Sequence, residues 1–240
     1  MTALREISFP DPADNILFDQ VLLEAAEAGE AGETLRFWES PVPFIVLGRI
    51  GRPADELNVA AVIQHGISVL RRCSGGGTVV QGPGCLNFAL VLSKDEQPEI
   101  ADLKRSYGYI LSRVTAALSE CGVEADYWPI SDIALTGSRR KISGNAQKRG
   151  RRYILHHGTL LYNADLNLIE RYLSTPPTMP DYRQARPHLE FVANSGVEPR
   201  RFIDGLARQF RASPVPSEVS ATEQSRLLGL RGAVQVHVGL

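Results

Sequence analysis

The stretch Arg71-Arg72-Cys73-Ser74-Gly75-Gly76-Gly77-Thr78 sets two guanidinium groups and a hydroxyl beside three consecutive glycines. Glycines forgo side-chain packing and raise the entropy lost on folding, so they mark either a tight strand-to-strand turn or a close approach of backbone to a ligand. Arg71, Arg72 and Ser74 supply the donors that a phosphate needs beside exposed backbone N–H groups, which favours an anion loop. It is not a Walker loop, because no Gly-Lys-Ser/Thr opens a helix and Thr78-Val79-Val80 continues into β-favouring residues. Dinucleotide spacing also fails, so a nucleotide held here rests on a sheet.

Three further stretches put polar groups in or beside apolar strands: Pro129–Leu135 with Asp132, Arg139–Gln147 with Lys141, and Leu155–Leu161 with His156 and His157. Singly, each has a structural explanation: a turn cap, a solvated lysine, a hydrogen-bonded core histidine. Adjacent strand residues point to opposite faces, so His156 and His157 are poorly placed to share a metal, and no Cys or carboxylate stands at ligand spacing. The same alternation puts Lys141 and Ser143 on one face and Ile142 on the other. Cys73 or Cys85 with a histidine is a conceivable thiol acyl carrier, against the commoner role of a small buried hydrophobe.

The elements that must position these groups follow from apolar periodicity. Helices are expected at Asp14–Ala28 with Gly29 as stop, Glu56–Gly66, Ile100–Gly122, Asp165–Leu173 capped by Asn163 or Asp165, Pro199–Arg211 and Ser217–Leu230. Strands are expected at Thr34–Trp38, Phe44–Leu47, the run through Arg71 and Arg72, Thr78–Val80, Leu86–Leu92, Glu124–Tyr127, Ile133–Thr136, Lys141–Ser143 and Tyr153–Tyr162, with turns at Gly82-Pro83-Gly84, Gly137 and Gly150. Thr175–Pro180 ends a helix, and Asp181–Asn194 reads as an ordered loop because Phe191 and Val192 need burial. Without strict βαβ alternation the class is α+β, a mixed, largely antiparallel sheet flanked by helices.

With 240 residues and 26 basic against 27 acidic side chains, the chain has a net charge of −1, so nothing draws it as a whole to nucleic acid or a membrane surface. Three cysteines without metal spacing argue for a reducing compartment, and Met1–Asp14 lacks an apolar segment, so a cytoplasmic location is expected.

Taken together, the runs Arg-Arg-Cys-Ser-Gly-Gly-Gly-Thr-Val, Ser-Asp-Ile-Ala-Leu followed by Arg-Lys-Ile-Ser-Gly-Asn-Ala-Gln, and His-His-Gly-Thr-Leu-Leu-Tyr-Asn-Ala-Asp-Leu resemble the lipoate protein ligase family, whose relatives are the biotin ligases and octanoyltransferases. The resemblance spans about Leu17 to Leu173 and weakens beyond Thr175. It implies a catalytic domain over 1–195, a helical extension over 196–240 packed on it, and activation of lipoate with ATP and Mg2+ to lipoyl-adenylate. The acyl group then passes to a lysine of a lipoyl carrier domain, such as a 2-oxoacid dehydrogenase E2 or a glycine cleavage H protein. Mg2+ would arrive on the ATP phosphates rather than in a protein cluster.

Carried over by position, the resemblance gives Arg72, Gly77, Thr78, Val79 and Val80 the nucleotide and its phosphates, and Lys141 the carboxylate and acyl-phosphate oxygens. Asp132 joins Lys141 as the catalytic pair, placing the adenylate or the incoming lysine. Gly75, Gly76 and His157 shape the acyl tunnel, and Ser74, Ser143, Gly144, Gly158 and Thr159 complete the binding set. Two departures stand out. No cysteine falls near Ile154 or within Glu124–Ser131, where octanoyltransferases carry their nucleophile, and only about 65 residues follow Thr175, too few for an accessory domain. A separate accessory subunit therefore stays open, as do ATP-independent acyl transfer and a non-catalytic lipoyl-binding role.

Overall fold

The computed structural model describes residues 1–176 and 179–238. It opens with β1 (Thr2–Glu6), α1 (Pro12–Glu27), β2 (Thr34–Trp38) and β3 (Phe44–Leu47), followed by α2 (Pro53–Glu56), α3 (Val59–His65), β4 (Val69–Arg71) and β5 (Val79–Gln81). The middle of the chain is β6 (Cys85–Ser93), α4 (Leu103–Glu120), β7 (Ala125–Trp128), β8 (Asp132–Leu135), β9 (Lys141–Arg149) and β10 (Tyr153–Leu161). It closes with α5 (Asn167–Tyr172), α6 (His188–Phe191), α7 (Pro199–Gln209), β11 (Ala212–Pro214) and α8 (Ala221–Leu230).

Eight strands form one sheet in the order β11-β1-β2-β6-β10-β9-β8-β7, and β4-β3-β5 form a smaller one. Pairings from β2 to β7 are antiparallel, whereas β11, β1 and β2 run parallel. The α+β mixed sheet expected from the sequence is the observed architecture. Central β6 is buried along its whole length, which a strand covered on both faces requires. Its Leu86, Phe88, Leu90 and Leu92 meet α4 and α7, while Ala89 and Val91 meet α1 on the other face.

Helix α1 starts where the Asp11 carboxylate accepts from the Ala13 N–H at 2.9 Å, with Pro12 in its first turn, and ends at Gly29 with φ +76°. The small sheet lies beside it: Phe44, Val46 and Leu70 join the α1 core, whereas Ile45, Leu47, Val69 and Val80 pack under α3 and α5. The loop from β4 to β5, carrying the three glycines, is thereby hung over the α1 side of the large sheet.

Several elements depart from expectation for identifiable reasons. The Glu56–Gly66 helix begins earlier, at Pro53, and is interrupted where Leu57 turns extended to bridge Leu173. Asp165 does not cap α5; it accepts from the Asn167 N–H at 3.1 Å, and the cap position is Leu166 without a side-chain bond. Strand β9 runs on to Arg149, because β10 offers it a full-length partner regardless of its own polar residues. Strands β1 and β11 add to the expected set: Arg5 and Glu6 in β1 and the three-residue length of β11 leave little strand pattern, and parallel pairing of β1 with β2 and β11 forms them. Part of the Thr175–Pro180 turn, at Pro177 and Thr178, lies outside the described residues.

Residues 196–238 contribute α7, packed on α4 so that a Cβ at Gly205 would sit 3.4 Å from Ala117 Cβ, and α8, whose Glu223 pairs with Arg5. Among the described residues no helix is long and apolar enough to cross a membrane.

Candidate active site

A cleft of about 130 Å³ opens between the glycine loop and the face of β2, β6, β10 and β9 that looks toward α1. Its floor is one cross-strand row, Trp38–Asn87–Thr159–Gly144, which spans roughly 14 Å at about 4.8 Å per strand. Thr159 receives a hydrogen bond from Gln81 Nε2 at 2.5 Å and donates to Asn87 Oδ1 at 2.7 Å, tying β5 to the floor.

At one end of the row stands Lys141. Its Nζ lies 2.7 Å from Asp132 Oδ1, and its side chain folds over Gly144 so closely that a Cβ there would sit 2.9 Å from Nζ. Lys141 faces the cleft because Ile142 packs beneath α4, as the alternation argument requires. Ser143 does not follow it. A register shift in β8 between Ile133 and Ala134 puts Ser143 opposite Ile133 and Lys141 opposite Ala134, so Ser143 is buried and accepts from Asn145 instead of lining the cleft.

The glycine loop is clamped by its arginines. Arg72 donates to the carbonyls of Gly75 at 2.6 Å and Gly77 at 2.8 Å and to Ser74 Oγ at 3.0 Å, while Arg71 donates to Gly48 and Gly51 carbonyls, each at 2.8 Å. Binding the carbonyls leaves the N–H groups of Gly75, Gly76 and Gly77 without an acceptor among the described residues, the arrangement of an anion nest. Burial pushes the Arg72 guanidinium down to about 10, still cationic at neutral pH. Gly76 sits at φ +86°, and the loop packs so tightly on Gly48 that a Cβ at 48 would overlap the Gly76 carbonyl.

Of the residues singled out in the sequence, Arg72, Gly76, Gly77, Thr78, Val79, Asp132, Lys141, Gly144, His157, Gly158 and Thr159 line the cleft. Four do not. Val80 turns into the core under α3, Ser143 is displaced as described, and Ser74 and Gly75 stand behind the loop. Ser74 bonds His157 Nε2 at 2.5 Å, and His157 Nδ1 lies 3.5 Å from Asp19 Oδ2. Gly158 needs its missing side chain on the other face, where a Cβ would overlap Phe88 and the Asn145 amide.

The two histidines do separate to opposite faces. His156 is fully buried between Phe88 and Tyr107, held by Asn145 Oδ1 and Gln147 Nε2, each at 3.2 Å, and burial pushes it down to about 3, so it is neutral. Asn145 in turn donates to the Ser131 carbonyl at 2.9 Å, fixing the approach to Asp132. Among the described residues no group of three or more His, Cys, Asp or Glu side chains is placed to hold a metal ion.

Sequence reading missed Asp19, Trp38, Gln81 and Asn87, which line the cleft, and Tyr182, which donates to Asp132 Oδ2 at 2.7 Å. The signal for Asp19 is weak, a carboxylate between Phe18 and Val21 on a helix that also buries Asp14 and Asn15. Neither Cys73 nor Cys85 is poised for nucleophilic attack, since burial pushes their thiols up to about 11 and about 12. If the chain carries out the acyl transfer that the resemblance implies, replacing Cys73, Cys85 and Cys121 by Ala is expected to leave it within about threefold, measured by mass analysis of a carrier domain.

Residues 11–196 match the family model of the lipoyl protein ligase A/B catalytic domain. The chain belongs to that family. Within it, the chain is 32% identical over 157 residues to lipoate-protein ligase LplJ of Bacillus subtilis, covering 65% of this chain and 44% of that one. It is 33% identical over 147 residues to the mitochondrial lipoyl amidotransferase LIPT1 of Homo sapiens, covering 61% and 37%. The chain spans between 35% and 55% of the length of these and other curated family members. Its fold matches a chain in the structure of a bi-partite lipoate protein ligase with its E2 lipoyl domain from Thermoplasma acidophilum, with a TM-score of 0.81 and 21% identity over 97% of this chain and 92% of that one.

Proposed function

We propose that this protein is a lipoate protein ligase that activates lipoate with ATP to lipoyl-AMP and passes the lipoyl group to a lysine of a carrier domain. The observation that carries the reading is the Lys141 ammonium set across one cleft from a loop whose three glycine N–H groups lack acceptors. Adenylation brings two anions together, a carboxylate and the α-phosphate, and a fixed cation opposite a backbone nest acts where that charge develops. The floor row is long enough for the acyl chain to lie across the strands with its carboxylate at Lys141 and its far end at Trp38. Asp132 holds the ammonium in place and accepts from an incoming lysine. Mg2+ would be held by the ATP phosphates rather than by side chains of this protein, and would screen their charge.

The T. acidophilum ligase studied with its E2 lipoyl domain supports a carrier domain as the acceptor. Residues 1–195 are then the catalytic unit and 196–240 its extension. Lipoate-dependent ATP–pyrophosphate exchange tests the activation step. The similarity to the human amidotransferase favours a second reading, lipoyl transfer without ATP, and carrier modification with exchange absent identifies it.

Gly76→Val places a β-branched residue at positive φ and a Cβ about 3.0 Å from Arg72 Nη2. The strain distorts the loop backbone and its contact with Arg72, so ATP affinity measured by calorimetry is expected to fall about tenfold or more. Parental affinity in the folded variant places the phosphates elsewhere.

A further inference from the structure

We infer that Tyr182 is a positioning residue that holds the Asp132 carboxylate so that Lys141 is presented to the cleft. Asp132 divides its oxygens: Oδ1 lies 2.7 Å from Lys141 Nζ and Oδ2 accepts from the Tyr182 hydroxyl at 2.7 Å. The phenol cannot wander, because its ring stacks on Trp128 at 4.9 Å and 23° and lies 5.2 Å from Phe191, leaving the residue 8% exposed. Burial and the neighbouring Asp132 charge push its ionisation up, so it stays a donor.

This matters because Lys141 has two suitors. When an anion enters the cleft, the ammonium must share itself between that anion and Asp132. A carboxylate free to rotate would close on Lys141 with both oxygens and compete with the ligand. The Tyr182 bond holds Oδ2 on the far side and also keeps it from being left buried without a partner as Lys141 turns. Tyr182 comes from the 181–183 turn, outside the stretches that carry Lys141 and Asp132, and the next segment joins the same unit: the Ala193 N–H donates to the Lys141 carbonyl at 2.9 Å.

The inference rests on the acyl-activation reading for its catalytic consequence, and two readouts keep the two apart. Tyr182→Phe retains the ring stack and deletes the hydroxyl alone. Reactivity of Lys141 toward acetic anhydride, followed by peptide mass analysis, needs no activity; it is expected to fall about threefold as the freed carboxylate closes on the ammonium with both oxygens. In lipoate-dependent exchange, KM for lipoate is expected to rise about tenfold with kcat within about twofold, as a carboxylate competing with the anion requires, and adding Tyr182→Phe to Asp132→Asn is expected to change nothing further. A structural role alone would lower the melting temperature without this split or this non-additivity. Unchanged Lys141 labelling in the folded variant, or an additive loss in the double variant, overturns the inference. If the parent shows no exchange, the activation reading fails and the labelling comparison alone decides on Tyr182.

Discussion

Lys141→Ala is expected to reduce lipoate-dependent pyrophosphate exchange by about 10²–10³-fold, the effect of removing one preorganised donor worth about 3–4 kcal/mol at a developing charge. The geometry makes this a local change. Lys141 is partly exposed and, among the described residues, ion-paired with Asp132 alone, whose second oxygen keeps Tyr182, so truncation leaves no carboxylate stranded without a partner and the melting temperature should move little. Lys148, on the same strand but outside the cleft lining, is the control, and its replacement by Ala should leave exchange near the parental rate. Near-parental exchange in a folded Lys141→Ala protein removes Lys141 from the chemistry and directs attention to Arg139 and Arg140.

Arg36→Met is expected to be the most destabilising single substitution. Arg36 has no exposed surface, and its guanidinium donates to Asp19 Oδ1 at 2.6 Å, to the Asn15 carbonyl and side chain at 2.8 and 2.9 Å, and to the Ile7 carbonyl at 2.9 Å. Burial lowers its ionisation and the Asp19 charge restores part of that, the balance of a desolvated pair. Removing one partner strands a buried carboxylate and two backbone carbonyls, which costs roughly 3–5 kcal/mol and lowers the melting temperature by about 10 °C in a chain of this size. Asp19 also reaches His157, and through it Ser74 and the glycine loop, so ATP binding should weaken along with stability. Calorimetric melting of Arg36→Met beside the double variant Arg36→Met/Asp19→Leu checks the mechanism, because the second change removes the stranded charge. A loss below about 1 kcal/mol in Arg36→Met would show that Asp19 finds another partner.

The different legibility of these two sites is instructive. Lys141, Asp132 and the glycines stand in short runs whose composition conflicts with their flanking strands, and that conflict is visible in one dimension. Arg36 is a single charged residue in Thr34–Trp38, indistinguishable in sequence from a solvated strand residue. Its burial follows only from β2 lying between β1 and β6 with α1 across its face. Asp19 and Trp38 were hidden in the same way, since a helix or strand position acquires a function only when a partner element is laid over it.

The amino-acid sequence by itself determined the α+β class, the long helix under the sheet, the strand-flanked glycine loop and the opposite orientations of His156 and His157, because each depends on local periodicity or on backbone freedom. Tertiary structure alone decided which side of each strand met the cleft. A register shift beside Lys141 carried Ser143 away, the packing of β5 buried Val80, and the 181–183 turn delivered Tyr182 to Asp132 across 50 residues. Register and inter-element contacts are set by the free energy of the whole assembled core, so a one-residue bulge or a remote turn leaves no trace in the residues that it brings together.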